Sequence, residues 1–302
     1  MKKRFLACLL AIMMFIMVGC SSQKQRKIID REGTEVSIPT KIEKIVSTAP
    51  SNTEVILDLG LGDKLVAIDK YSSDIEGLKG NLTKIDFSNP DAEAIIALEP
   101  DIIIASGHNK TGSAGDPFKA VSDAGIPVVY IPSSDSIDGI YKDIEFISNV
   151  LGQDKKGEEL ISNMKSEIDK IASIGKTIKD KKSVYFEIAP APDMYSFGSD
   201  TFLNEMIEIV GAENIFKDEK SWISPSAESI IDKNPDVILT NVDYPKNSIE
   251  EIKTRDGFEN IKAVKNNEVY KVDKNSSSRP SNKIILALDQ MAKAIYPDKY
   301  EK

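Results

Sequence analysis

The chain has 302 residues, of which 41% are hydrophobic and 29% charged, and its formal net charge is −9. That acidity argues against a nucleic-acid partner, whose phosphates require a basic surface. Two cysteines and a single histidine exclude a thiolate cage, disfavour capture of free zinc or manganese, and leave one imidazole for any serine triad.

Residues 1–19 read as a leader: "MKKRF" is basic, "LACLLAIMMFIMV" is apolar, and "MVGC" offers a small-residue cleavage site. Cys20, directly after Gly19, resembles the acceptor of a bacterial lipobox, with Met17 where Leu is usual. It is expected to be the lipidated first residue of the mature chain; plain cleavage leaving a free thiol is the alternative. Loss of Lys2, Lys3 and Arg4 takes the charge from −9 to −12. Residues 20–27 then read as a polar tether, and a domain free of cysteine follows.

From 28 to 152, apolar runs alternate with helical patterns. "KIVST" (44–48) reads as a buried strand, followed by the helix "SNTEVILDLG" with Ser51 or Asn52 as N-cap and Gly60 near its end. "KLVAI" (64–68) is the next strand, and "PDAEAIIALE" (90–99) a helix that runs into the strand "DIIIA" (101–105). "DPFKAVSDAG" gives a helix and "IPVVYI" (126–131) a strand. Residues 153–181 carry Ile161, Met164, Ile168, Ile171 and Ile178 near helical spacing, one apolar stripe on a charged rod. This connecting helix, roughly 40 Å long at 1.5 Å per residue, should permit only modest lobe closure, with Gly175 as its weakest point.

Residues 182–302 repeat the first scheme: the strand "SVYFEI" (183–188), the helix "DTFLNEMIEIVG", a helix–strand unit at 225–240, the helical "NSIEEIKTRDGF", the strand "EVYKVD" and the closing helix "NKIILALDQMAKAI". "PDAEAIIALEPDIIIA" (90–105) and "PSAESIIDKNPDVILT" (225–240) share eight of sixteen residues at an offset of 135. Val129-Tyr130 matches Val269-Tyr270 at an offset of 140, a slip of five assigned to a loop. The expected fold class is α/β, two similar lobes with mainly parallel sheets joined by one long helix.

Each twin unit starts alike. Asn89-Pro90 and Ser224-Pro225 are expected to supply an N-cap with Pro at the first helical position. Glu93 and Glu228 follow in the first turn, where the helix dipole favours their charge. Alone, each is explained by a solvated face; at equivalent places on two lobes they form a symmetric pair suited to a two-fold partner. Phe87 and Trp222 stand three residues before the prolines and are expected at equivalent lobe edges, with Tyr71 after the second strand as a third aromatic. They could plug the sheet edge, or enclose a flat, partly apolar ligand across an inter-lobe groove. Arg279, between the last strand and the last helix, could pair with an anionic ligand group or be an ordinary surface residue.

"KIVSTAPSNTEVILDLGLGDKLVAID", "AEAIIALEPDIII", "GAENIF" with the Trp222 segment, and "SRPSNKIILAL" together resemble the substrate-binding lipoproteins of bacterial ABC importers for iron–siderophores, haem and cobalamin. The resemblance covers roughly 28–302. It implies an extracytoplasmic, membrane-anchored monomer and no enzyme. It also implies that Glu93 and Glu228 dock onto arginines of a homodimeric permease with cytoplasmic ATPase subunits. By the same resemblance Tyr71, Phe87, Trp222 and Arg279 fall where a cobalamin binder contacts its ligand, with Phe87 in place of a Trp. With arginine confined to Arg26, Arg31, Arg255 and Arg279 in the mature chain, a corrinoid is the expected cargo, and a ferric siderophore or haem the alternative. His108, in a loop after a strand, could be an axial ligand to the cargo's metal; a solvated loop residue is the ordinary reading. A secreted α/β hydrolase is the remaining class, but "SGH" and "GSAGD" form no nucleophile elbow and neither a P-loop nor G-x-G-x-x-G is present.

Overall fold

The computed structural model describes residues 24–110, 115–244 and 247–301; the expected leader and the lipidation site Cys20 lie outside them. The described chain opens with an antiparallel hairpin of β1 (Gln25–Ile29) and β2 (Glu35–Pro39). This corrects the expected tether. Arg26 pairs across the ladder with Ile38 and donates to the carbonyl oxygens of Asn149 (2.6 Å) and Val150 (3.1 Å), so folded structure begins by residue 25 rather than 28.

The first lobe comprises β3 (Ile45–Ser47), α1 (Pro50–Asp58), β4 (Leu65–Asp69), β5 (Thr83–Ile85), α2 (Ala92–Ala97), β6 (Ile102–Ser106), α3 (Lys119–Asp123) and β7 (Val128–Ile131). Its strands are parallel in the order β5-β4-β3-β6-β7. Every residue of β3, β6 and β7 is buried, as a sheet covered on both faces requires. Next comes α4 (Ile137–Val150), a helix absent from the expected elements. Ser136 caps it by accepting from the Gly139 N–H, and Ile137, Ile140, Ile144 and Ile147 bury one face. The connecting helix α5 (Asp154–Gly175) has 22 residues, about 33 Å, and ends before the expected boundary at 181.

The second lobe comprises β8 (Ser183–Glu187), β9 (Ser196–Phe197), α6 (Phe202–Ile209), β10 (Glu213–Asn214), β11 (Trp222–Ile223), α7 (Ala227–Lys233), β12 (Val237–Thr240), α8 (Ser248–Lys253), α9 (Lys262–Lys265), β13 (Val269–Lys271), α10 (Lys274–Ser278), α11 (Ile284–Ile295) and α12 (Pro297–Tyr300). The order β10-β8-β12-β13 is again parallel, with β9 and β11 as a separate antiparallel pair.

Side-chain faces carry the repeat. Ile95 and Ile103 belong to a cluster private to the first lobe, and Ile230 and Ile238 to one private to the second. Ile102, Ile104, Val237 and Leu239 point the other way, into one continuous core with Ile144 of α4, Met164 and Ile168 of α5, and Leu288 of α11. The ladder corrects one expected match. Ile103 pairs with Val128 and Ile238 with Val269, so the counterpart of Val269 is Val128, not Val129. The offset there is 141 and the loop slip six; a one-residue error would turn side chains to the wrong face.

Two further expectations change. The prolines precede the caps: Asp91 accepts from the Ala94 N–H (3.0 Å) and Ser226 from the Ser229 N–H (3.2 Å), one residue after Pro90 and Pro225. In α1, neither Ser51 nor Asn52 is the cap; Ala49 is, without a side-chain bond, and Pro50 opens the helix. Gly175, the expected weak point of the connecting helix, is its last residue and is closely packed. A Cβ there would lie 2.2 Å from the Ile209 carbonyl oxygen, so this glycine lets α5 pack directly on the backbone between α6 and β10.

Candidate functional site

The loops leaving the C-terminal ends of the parallel strands converge from both lobes on one cleft of about 580 Å³, the usual ligand position in such sheets. From the first lobe come the start of α1 and the turns after β4, β6 and β7; from the second come Asp243, Lys274 and the segment around Arg279.

Tyr71 and Phe87 form one wall, ring centroids 5.9 Å apart and tilted by 52°. Buried Asp69 sets the turn that presents Tyr71 by accepting from the Tyr71 N–H (2.8 Å) and the Ser72 hydroxyl. Burial pushes the Asp69 carboxyl up, and those hydrogen bonds offset it only in part. Lys70 lies 5.2 Å from the Tyr71 ring centroid and pairs with Asp86 at 2.9 Å. The Ser88 hydroxyl and then Lys70 hold Asp86 down at about 2.

Arg279 lines the cleft, but its guanidinium is engaged. It reaches from the second lobe to Glu54 (3.0 Å), Asp74 (2.8 Å) and the Tyr71 carbonyl (3.1 Å), all in the first. Around it, Ser281 donates to Glu54 (2.5 Å), Asn275 to Asp74 (2.8 Å) and Asn282 to Asp58 (2.6 Å), while Lys283 pairs with Asp58 at 2.5 Å. These contacts latch the two lobes together. Burial pushes Glu54 up despite Ser281 and Arg279. For Asp74, burial acts upward too, but the bonds from Arg279 and Asn275 prevail and leave it below the usual range. No spacing in the sequence could have announced this latch, since its partners stand more than 200 residues apart.

The cleft therefore gathers Tyr71, Phe87 and Arg279, and His108 lines it as well. Trp222 is not among its lining residues. It belongs to β11, paired with Phe197 of β9, and its ring stacks on Tyr195 at 6.2 Å with an 11° interplanar angle. Phe87 sits in a loop with no such strand pairing, so the two aromatics do not occupy equivalent settings. Tyr195, which sequence reading missed, shares the partial exposure of Trp222, 37% each. Glu93 and Glu228 are both exposed at the second position of α2 and α7, one on each lobe. Among the described residues no acidic, His or Cys cluster could hold a metal ion, and no helix is long and apolar enough to cross a membrane.

Residues 45–276 match the protein family described as periplasmic binding protein. The chain is 35% identical to the uncharacterized ABC transporter substrate-binding lipoprotein YvrC of Bacillus subtilis (strain 168), with 100% of both covered. It is 27% identical to the vitamin B12-binding protein of Vibrio campbellii (strain ATCC BAA-1116), over 82% of this chain and 88% of that one. Among solved structures, a possible iron-binding (periplasmic solute-binding) protein from Staphylococcus epidermidis ATCC 12228 superimposes with a TM-score of 0.76 at 36% identity, covering 85% of this chain and all of the other.

Proposed function

The chain belongs to the periplasmic binding protein family, and from that premise we propose that its cargo, as the substrate-binding component of an ABC importer, is a metal chelate, by preference a corrinoid of cobalamin type. One observation carries the preference. Each lysine or arginine lining the cleft already has a carboxylate partner: Lys70 has Asp86, Lys274 has Asp243 at 3.0 Å, and Arg279 has Glu54 and Asp74. Such a cleft offers aromatic faces and hydrogen bonds but little net positive charge, which suits a bulky uncharged cargo better than a polyanionic one. The similarity to a vitamin B12-binding protein supports the same reading. A ferric chelate is the second reading, favoured by the similarity to a possible iron-binding protein.

In this proposal Tyr71 and Phe87 form one wall, and the Tyr195–Trp222 stack of the second lobe, which lies outside the cleft lining, is reached by a bulky cargo that extends beyond the cleft. Glu93 and Glu228 engage the two subunits of a homodimeric permease, whose cytoplasmic ATPase partners drive transport. Cys20 carries the lipid that keeps the chain on the extracytoplasmic face of the cell membrane. Trp222 is the chain's only tryptophan, so its fluorescence tests whether cargo reaches the Tyr195–Trp222 stack. Titration with cyanocobalamin should quench it saturably, and protein purified from its own cells should carry a corrinoid absorbance spectrum. Saturable binding of haemin or a ferric siderophore with none of cyanocobalamin would overturn the preference.

A further inference from the structure

Arg255, shortly after α8, has a side chain only 9% exposed, and Glu187, the last residue of β8, is fully buried. A guanidinium has five N–H donors in one plane, and here all five are engaged. Nε and Nη2 donate to Glu251 (2.8 and 2.5 Å), Nη1 and Nη2 to Glu187 (2.5 and 2.9 Å), and Nη1 also to the Met194 sulfur (3.5 Å). A buried ion pair contributes little more net stability than well-packed apolar side chains of similar volume. What the fork adds is direction, because a planar guanidinium fixes its partners relative to one another.

Those partners stand at the two ends of one loop. Glu187 ends β8, and Met194 immediately precedes Tyr195. The loop between them is closed by the Ile188 N–H on the Tyr195 carbonyl (2.8 Å) and the Tyr195 N–H on the Ala189 carbonyl (3.2 Å). Neighbouring residues of an extended backbone point to opposite sides. Met194 turns inward, 6% exposed, into the apolar cluster of the second lobe that also holds Phe258. Tyr195 therefore turns outward onto Trp222, and Phe197, two residues on, meets the same indole at 80°. Seating Met194 thus sets the side on which Tyr195 emerges.

We propose that Arg255 is a positioning residue: by holding Glu187 and Met194 together at the foot of loop 188–194, it keeps Tyr195 stacked on Trp222 before any cargo arrives. The consequence for binding rests on the chelate reading above, in which cargo reaches this stack. A preformed pair of rings then removes the entropy cost of ordering them on binding.

Arg255→Met alone strands the Glu187 carboxylate in the core, so the main variant is Arg255→Met/Glu187→Met. It replaces the ion pair by apolar side chains and should keep a urea midpoint near that of the parent. Acrylamide quenching of Trp222 emission reads the stack without cargo, and Tyr195→Ala supplies the unstacked limit. The double variant should move most of the way from the parent's quenching constant to that limit. Arg255→Lys, which keeps the charge and loses the fork, should move in the same direction. Parent-like quenching in both folded variants would overturn the positioning role. Equilibrium dialysis with cyanocobalamin and with haemin then tests the consequence. Affinity of the double variant for whichever chelate the parent takes should fall about two- to tenfold, the range of one aromatic pair. Unchanged affinity with Trp222 released would show that cargo does not reach the stack, which sinks that part of the chelate reading and leaves the positioning role in place.

Discussion

Replacing Arg279 by Met cuts the one side chain that ties the second lobe to both Glu54 and Asp74. The two arms differ. Side-chain exposure is 11% for Arg279 and 6% for Glu54, so that arm is a buried pair, whereas Asp74 is 55% exposed. Removing one partner of a buried pair costs about 3–5 kcal/mol, while an exposed pair contributes about 1 kcal/mol or less. Ser281 still donates to Glu54 after the substitution, so the lower end applies. The expected loss is about 3 kcal/mol, read by urea denaturation at pH 7. For a chain of this size it lowers Tm by about 6–12 °C. The paired variant Arg279→Met/Glu54→Gln removes both charges and should regain most of the loss. An Arg279→Met protein within about 0.5 kcal/mol of the parent, the range of ordinary surface substitutions, would refute the latch. Chelate affinity that collapses while stability holds would mark Arg279 as a cargo contact instead.

Glu54→Gln alone tests the same site through pH. Because burial holds the folded-state pKa of Glu54 above its ordinary value, its contribution to stability is full below that ordinary value and is lost as pH rises through the folded one. Urea midpoints from pH 4 to 8 should therefore decline less steeply in the variant, and identical slopes would show that Glu54 does not titrate as described. Gly175→Ala should destabilise the protein by about 1–3 kcal/mol through overpacking, although Ala is the better helix former; a raised denaturation midpoint would mean the α5 contact yields easily. Charge reversal at Glu93 and Glu228 together should abolish uptake in permease-containing vesicles with chelate affinity unchanged, and uptake at the parent rate would remove both from the docking surface. Small-angle scattering should find nearly the same radius of gyration, about 19 Å for a chain of this size, with and without cargo, since one core spans both lobes; a change of about 2 Å would contradict that coupling.

Periodicity made the sheets legible because their strands are short apolar runs between Gly and Pro breaks. β3, β4, β6, β7, β8, β12 and β13 all fall where the sequence places strands. The twin units hold up to the level of side-chain faces, as Ile95 and Ile103 against Ile230 and Ile238 show. What stayed hidden was tertiary. The α4 helix has an ordinary apolar stripe, but no repeat partner draws the eye to it. The cap shift follows from Asp91 and Ser226, whose side chains accept from the N–H three residues further on and so leave Pro90 and Pro225 just outside the helices. Sequence distance alone aligns Trp222 with Phe87, whereas the pairing of Trp222 with Phe197 is an antiparallel contact between strands separated by α6 and β10. Arg279 could be placed beside the cleft from its position after the last strand, yet nothing in the sequence reveals that its charge is already spoken for.

That prior engagement bears on selectivity as much as on stability. An anionic cargo seeking Arg279 must draw it away from Glu54, and so carries the cost of stranding a buried carboxylate. At about 3 kcal/mol the handicap is on the order of a hundredfold in affinity. Competition for the Asp74 arm alone is cheap, but Asp74 then remains beside the anion as a second repulsive charge. Lys70 and Lys274 sit in exposed pairs that an anion could displace more easily, so they soften the barrier without removing it. An uncharged cargo meets none of these penalties and leaves the lobes latched while it binds. The same contacts that hold the two halves at a fixed separation thus bias the cleft between them against negative charge.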